Sequence, residues 1–332
     1  MDLSVYLSGE IHTNWRDRIE DACNIAGLDI EFLAPVTDHG SSDDCGVSIL
    51  GAEDNRLVAD RHVPVEGAEH GLPVLLLHGG GQTRHAWGNA ARRIAEAGHR
   101  AYTVDQRGHG DSAWVPTQSY ATMDYAADAV ALARQIADET GSSPVLVGAS
   151  LGGMAGLAAT ALAGNGLLSG LVLVDITPYL DRDGVSKIQG FMSEKMHEGF
   201  GTLNEAADAI AAYLPHRKRP RSLDGLAKNL RQGVDGRYRW HWDPAFIEGP
   251  RTVNTGGEKV QQELIEAARN LAMPVLLVRG QQSELVTEDA ASAFRDLVPE
   301  ARFVDVSGAG HMVAGDRNDS FNEAVLGFLE SL

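Results

Sequence analysis

The pentapeptide Gly148-Ala149-Ser150-Leu151-Gly152 has the pattern G-x-S-x-G. A serine hydroxyl is a weak nucleophile until a neighbouring base takes its proton, so the chemistry this pattern offers is covalent acyl transfer. Alone, five residues are a weak match, and the rival reading is a tight turn that happens to carry serine. The flanks decide between them. An apolar run, Pro144–Val147, leads directly in, and a helical run, Leu151–Ala163, leads out and stops at Gly164. A strand, a sharp turn and a helix hold the serine on a strained bend with its hydroxyl exposed. Small residues must flank such a bend because neighbouring chain passes close by, and Gly148, Gly152 and Gly153 meet that need. The hydroxyl then sits at a helix N-terminus, where unpaired N–H groups favour developing negative charge.

Acyl transfer also needs donors for an oxyanion, and backbone N–H groups serve. One is expected from Leu151, just after the nucleophile. The other is expected from Gly80, in the run His78-Gly79-Gly80-Gly81 that ends the strand Pro73–Leu77. A phosphate-cradling loop is the rival there. A dinucleotide fingerprint would need glycine where Arg84 stands, and no Gly-Lys-Ser or Gly-Lys-Thr occurs. The base should lie late in the chain. Among 12 histidines, His311 stands out because Gly308-Ala309-Gly310-His311 follows the last strand pattern. His78 and His109 read as structural loop residues. The third member must orient the imidazole and stabilise its charged form. Asp175, at the tip of the strand Leu171–Val174, and Glu284, after the strand Pro274–Val278, both keep the order serine, acid, histidine; Asp175 is preferred.

These residues need a frame. From residue 73 onward short Val- and Leu-rich runs (Pro73–Leu77, Arg100–Val104, Pro144–Val147, Leu171–Val174, Pro274–Val278, Arg302–Val306) alternate with helical patterns such as Met123–Thr140, Thr287–Leu297 and Ser320–Leu332. That alternation predicts an α/β fold, a mostly parallel sheet with helices on both faces. Roughly ninety residues, 179–270, carry no convincing strand, far more than a simple connection needs. They read as a mostly helical cap over the site, with a helix at Leu203–Tyr213 and an aromatic patch, Tyr238-Arg239-Trp240-His241-Trp242. The sheet domain is then 56–178 with 271–332. Residues 1–55 form an extension with strands expected at Val5–Ser8 and Ile30–Leu33 and a helix at Trp15–Ala26. It is too small to bury its own core, so it should pack on the body or on another subunit, which leaves self-assembly open.

Composition narrows the partners. The 332 residues carry a net charge of −18, which repels phosphate backbones and anionic lipid, so neither nucleic acid nor membrane is expected. The basic run His216–Arg221 reads as a solvated loop. No stretch reaches the roughly 18 apolar residues of a membrane span, and the N-terminus lacks a signal-peptide pattern. Two cysteines, Cys23 and Cys45, make no disulfide framework, which suggests a reduced, cytoplasmic protein. No H-E-x-x-H or paired-cysteine spacing suggests a metal, and no cofactor is expected.

With these motifs in hand, residues 57–332 resemble the α/β-hydrolase superfamily. The resemblance rests on the serine elbow, on His78-Gly79-Gly80-Gly81, and on Asp105-Gln106-Arg107-Gly108-His109-Gly110-Asp111-Ser112. It implies the α/β-hydrolase fold with a cap, and a carboxylesterase-like activity on a small ester or lactone. Lactonases, carbon–carbon bond hydrolases and cofactor-free haloperoxidases are similar alternatives. Many members carry the acid after the strand read here as Pro274–Val278, where this chain has Ser283 with Glu284 one step along. A strand ending Asp175-Ile176-Thr177-Pro178 resembles esterases that place the acid there instead. Members that use an aspartate nucleophile are disfavoured by Ser150. A non-catalytic binding protein is the reading from another class, and the presence of all three triad residue types argues against it. Separately, Val5–His12 and Pro35–His39 resemble the start of a family related to nucleoside 2-deoxyribosyltransferases, but only over residues 1 to 55, so that activity is not carried over.

Overall fold

The computed structural model describes residues 3–6, 30–33, 44–214, 223–316 and 318–332. The helix expected at Trp15–Ala26 and the basic run at 216–221 lie outside these. At the N-terminal end, β1 (Leu3–Tyr6) pairs in parallel with β2 (Ile30–Leu33).

The body is one eight-stranded sheet. Its strands are β3 (Asp44–Leu50), β4 (Arg56–His62), β5 (Val74–Leu77), β6 (Ala101–Asp105), β7 (Val145–Ala149), β8 (Gly170–Val174), β11 (Val275–Gly280) and β12 (Arg302–Val306). Their order is β12-β11-β8-β7-β5-β6-β4-β3, parallel from β12 to β6, with β4 and β3 added antiparallel at one edge. This is the mostly parallel α/β sheet expected, and the six strands expected from residue 73 onward are all present.

The alternation of side chains along each strand creates two cores. Leu75, Leu77, Leu146, Leu171, Leu173 and Leu277 face one way, onto α2 (Thr122–Thr140), α3 (Leu151–Ala163) and α6 (Gly257–Arg269). Val74, Leu76, Val145, Val147, Val172 and Leu276 face the other way, onto α1 (Gly88–Glu96) and α8 (Asn318–Leu329). A strand buried on both faces has no polar positions to spare, which is why these strands read as unbroken apolar runs. Each such side chain contributes about 1.5–3 kcal/mol on burial.

The two antiparallel strands β3 and β4 were not anticipated from the sequence. Asp60, Arg61 and His62 make β4 look like surface, yet Asp60 is buried because the Arg84 Nε donates to it at 2.8 Å. Tertiary pairing therefore hides a strand behind polar residues.

Between β8 and β11 lie α4 (Arg182–Ser193), α5 (Leu203–Tyr213), α6 and two one-turn helices, Asp224–Ala227 and Ala245–Glu248. Thr202 and Asp181 cap α5 and α4 by accepting from the Glu205 and Gly184 N–H groups. This segment is not wholly helical: β9 (Leu230–Gln232) and β10 (Tyr238–Trp240) form a small antiparallel hairpin. Among the described residues, no helix is long and apolar enough to cross a membrane.

Candidate active site

Register brings the chemistry-bearing residues to one edge of the sheet. Ala149 pairs with Val174, Val174 with Val278, and Gly280 with Val306, so the C-terminal tips of β7, β8, β11 and β12 stand side by side. Ser150 and Asp175 are each one residue past a strand and still join the ladder. The Ser150 N–H donates to Val174 O at 3.2 Å, and the Asp175 N–H to Val278 O at 2.7 Å.

Both residues hold a backbone conformation that L-residues avoid. Ser150 has φ 46° and ψ −111°, and Asp175 has φ 51°. Such strain costs about 1–3 kcal/mol per residue and persists only where the surroundings enforce it. At Ser150 the enforcement is the close passage of chain. A Cβ on Gly148 would lie 2.5 Å from the Gly152 backbone, and one on Gly152 would overlap the Leu77 carbonyl. The sharp bend leaves the hydroxyl half-buried at the start of α3. Among the described residues the hydroxyl makes no hydrogen bond.

Asp175 is fully buried. Its Oδ2 faces the His311 Nδ1 at 2.7 Å and accepts from the Ser283 Oγ at 2.5 Å. Its Oδ1 accepts from the Gly280 N–H at 2.9 Å. The carboxylate thus meets three partners, and its Oδ2 holds the imidazole by Nδ1. The loop carrying His311 reaches this point because Gly280 has no side chain. A Cβ there would lie 2.8 Å from the Ala309 carbonyl, and the Gln282 N–H donates to that same oxygen at 2.8 Å.

Glu284, the other acid considered, lies elsewhere. Its carboxylate meets Tyr213 on α5, whose hydroxyl burial pushes up to about 12. Ser283, where many similar chains were expected to carry the acid, is instead a support for Asp175. It also accepts from the Leu285 and Val286 N–H groups at 3.1 and 3.0 Å. No sequence signal marks that supporting role.

The loop after β5 completes the edge. A Cβ on Gly79 would stand 3.6 Å from the Ser150 Cβ, so this loop borders the serine. The Gly79 N–H donates to Gln82 Oε1 at 3.0 Å, and the Gly81 N–H to His109 Nε2 at 3.1 Å. The N–H groups of Gly80, between them, and of Leu151 have no protein acceptor among the described residues. The Gln82 side chain also meets Met312 Sδ at 3.5 Å, tying this loop to the one that carries His311.

His78 and His109 are fully buried, with ring centroids 5.2 Å apart. Burial lowers His78 to about 4 and His109 to about 3, so both are neutral at physiological pH. In that state His78 Nε2 accepts from the Gln106 N–H at 3.0 Å.

The segment between β8 and β11 lies over the glycine loop. A Cβ on Gly80 would lie 3.2 Å from Phe246 Cζ, and one on Gly81 would lie 3.0 Å from Met192 Cε and 3.7 Å from Trp242 Nε1. Of the aromatic patch expected in the cap, Trp242 is therefore at the site. Trp87 packs on Phe321 in the other core, Trp114 is 46% exposed, and Trp240 packs against Phe191 and Phe200. Met192 and Phe246 carried no signal in the sequence.

Comparison with known proteins agrees with the fold. The family model for the alpha/beta hydrolase fold matches residues 73–317. Esterase Rv0045c of Mycobacterium tuberculosis is 29% identical over 263 residues, covering 78% of this chain and 83% of that one. The 2-(acetamidomethylene)succinate hydrolase of Mesorhizobium japonicum is 31% identical over 231 residues, covering 69% and 77%. A crystal structure of E-2-(acetamidomethylene)succinate hydrolase superposes with a TM-score of 0.71 at 24% identity, over 86% of this chain and 99% of that one. The family model described as nucleoside 2-deoxyribosyltransferase YtoQ matches residues 6–65.

Proposed function

This chain belongs to the α/β-hydrolase family, and we propose that within it the protein cleaves carboxylic esters through an acyl-enzyme on Ser150, with His311 as base and Asp175 as the acid behind it. The observation that carries this reading is the buried Asp175, one strand from Ser150, with its carboxylate 2.7 Å from the His311 ring.

The steps follow from the groups present. His311 takes the Ser150 proton as the hydroxyl attacks the ester carbonyl. The Gly80 and Leu151 N–H groups, without an acceptor among the described residues, receive the oxyanion. The imidazolium, stabilised by Asp175, returns its proton to the departing alcohol. Water activated by the same ring then releases the acid. Residues 179–270 act as a cap that sets the acyl and alcohol preference through Met192, Trp242 and Phe246.

Those three side chains support an ester with an apolar acyl group. A substituted succinate, the substrate in one relative's name, would call for cations. The buried cation nearest the glycine loop in sequence, Arg84, is already paired with Asp60, Asp105 and Asp111. A panel of chromogenic acyl esters, lactones and that succinate separates these readings. Ser150→Ala should lose at least about a thousandfold in kcat on the best ester. Equal turnover by the variant would overturn the proposal.

A further inference from the structure

The donor N–H of Gly80 stands on a loop of three glycines, which has little stiffness of its own. Something must aim it, because an oxyanion donor displaced by a fraction of an ångström loses its effect. We infer that His109 and Gln82 are positioning residues that hold the amides on either side of Gly80 and so fix the oxyanion donor; this rests on the serine-hydrolase reading above.

The geometry is direct. Gln82 Oε1 accepts from the Gly79 N–H at 3.0 Å and His109 Nε2 from the Gly81 N–H at 3.1 Å. Both neighbouring amides are held by these acceptors, and the Gly80 N–H between them has no protein acceptor among the described residues. Each clamp is itself anchored. The His109 Nδ1–H donates to the Arg107 carbonyl at 3.0 Å, which fixes the tautomer that accepts at Nε2. The Gln82 amide nitrogen meets Met312 Sδ, next to His311. The His109 ring is also set edge-on to Phe246, centroids 4.9 Å apart, and Phe246 lies over Gly80. His109 thus holds the loop from below and steadies the side chain above it. It sits in a loop stitched to the segment overhead, since the Gly110 N–H donates to His241 O and the Asp243 N–H to Gly108 O, each at 2.7 Å. An acceptor is needed in both places, whereas mere packing would be satisfied by an apolar side chain of similar size.

The test compares acceptor-keeping with acceptor-removing variants on p-nitrophenyl acetate, with Ser150→Ala as control. His109→Leu and Gln82→Leu should each lose about 10- to 100-fold in kcat with KM within about threefold, below the loss for removing a donor outright. His109→Gln and Gln82→Glu, which can still accept, should recover to within about fivefold of wild type. Inhibition by a trifluoromethyl ketone, which presents an oxyanion to the same donors, should weaken by the same factor as kcat. Equal rates for the leucine and acceptor-keeping variants, or a loss confined to KM, would overturn the inference. If His109→Leu does not fold by circular dichroism, the half-buried Gln82 pair decides. An inactive Ser150→Ala beside fully active leucine variants sinks the clamp alone; an active Ser150→Ala sinks the serine-hydrolase reading and the clamp with it.

Discussion

Moving the acid from one strand tip to the next tests the triad reading most closely. Asp175 Oδ2 lies 2.7 Å from His311 Nδ1 and 2.5 Å from Ser283 Oγ. Asp175→Asn keeps the shape but replaces the anion with an amide, which holds the imidazole in the wrong tautomer. A loss of about 10⁴ in kcat is expected, or roughly 5.5 kcal/mol of transition-state stabilisation. In Asp175→Asn with Ser283→Asp, the new carboxylate carries its oxygens one bond beyond the present Oγ, which already touches the Asp175 oxygen that meets His311. The Leu285 and Val286 N–H groups, which now donate to Ser283 Oγ at 3.1 and 3.0 Å, are in place to stabilise the charge. The double variant should therefore regain at least about tenfold over the single one, which is about 1.4 kcal/mol. Ser283→Asp alone should be impaired, because two buried carboxylates in contact cannot both ionise cheaply. Glu284→Gln should stay within about twofold of wild type, since its side chain faces Tyr213. The assay is steady-state hydrolysis of the best chromogenic ester. A double variant no faster than Asp175→Asn, or a loss at Glu284→Gln as large as at Asp175→Asn, would refute the reasoning.

Two further outcomes follow from the frame around the site. His78 and His109 have folded pKa values of about 4 and 3, below the ordinary 6.5, so as pH falls below 6.5 the unfolded chain takes up protons that the native state refuses. Stability should then fall with pH over this window, by about 2 kcal/mol for each histidine between pH 7 and pH 5. Urea unfolding at the two pH values measures this, and an unchanged midpoint would contradict the buried neutral histidines. Gly152→Ala places a methyl group against the Leu77 carbonyl, with backbone on both sides of the contact. It should cost roughly 1–3 kcal/mol or more and lower Tm by several degrees, read by thermal circular dichroism.

Much of this protein is written in short-range pattern. The six central strands announce themselves because burial on both faces leaves only apolar positions, and the strand–serine–helix junction because only glycine tolerates backbone so close. The position of His311, after the last strand in a glycine-rich loop, is equally local. Other features depend on contacts between residues far apart in the chain. The edge strand β4 is disguised by Asp60, whose polarity makes sense only beside Arg84. The proposal of Asp175 over Glu284 rests on its contact with His311, 136 residues away, and on the supporting hydroxyl of Ser283, 108 residues away. Gln82 and His109 were ordinary loop residues until the fold set them against two neighbouring amides, and Met192 and Phe246 were ordinary apolar ones until it laid them over the glycine loop. Pattern along the chain marks the elements buried on both faces, because propensity and burial act on neighbours. Only tertiary packing decides which atoms meet, because hydrogen bonds and contacts depend on distances in space that spacing along the chain does not record.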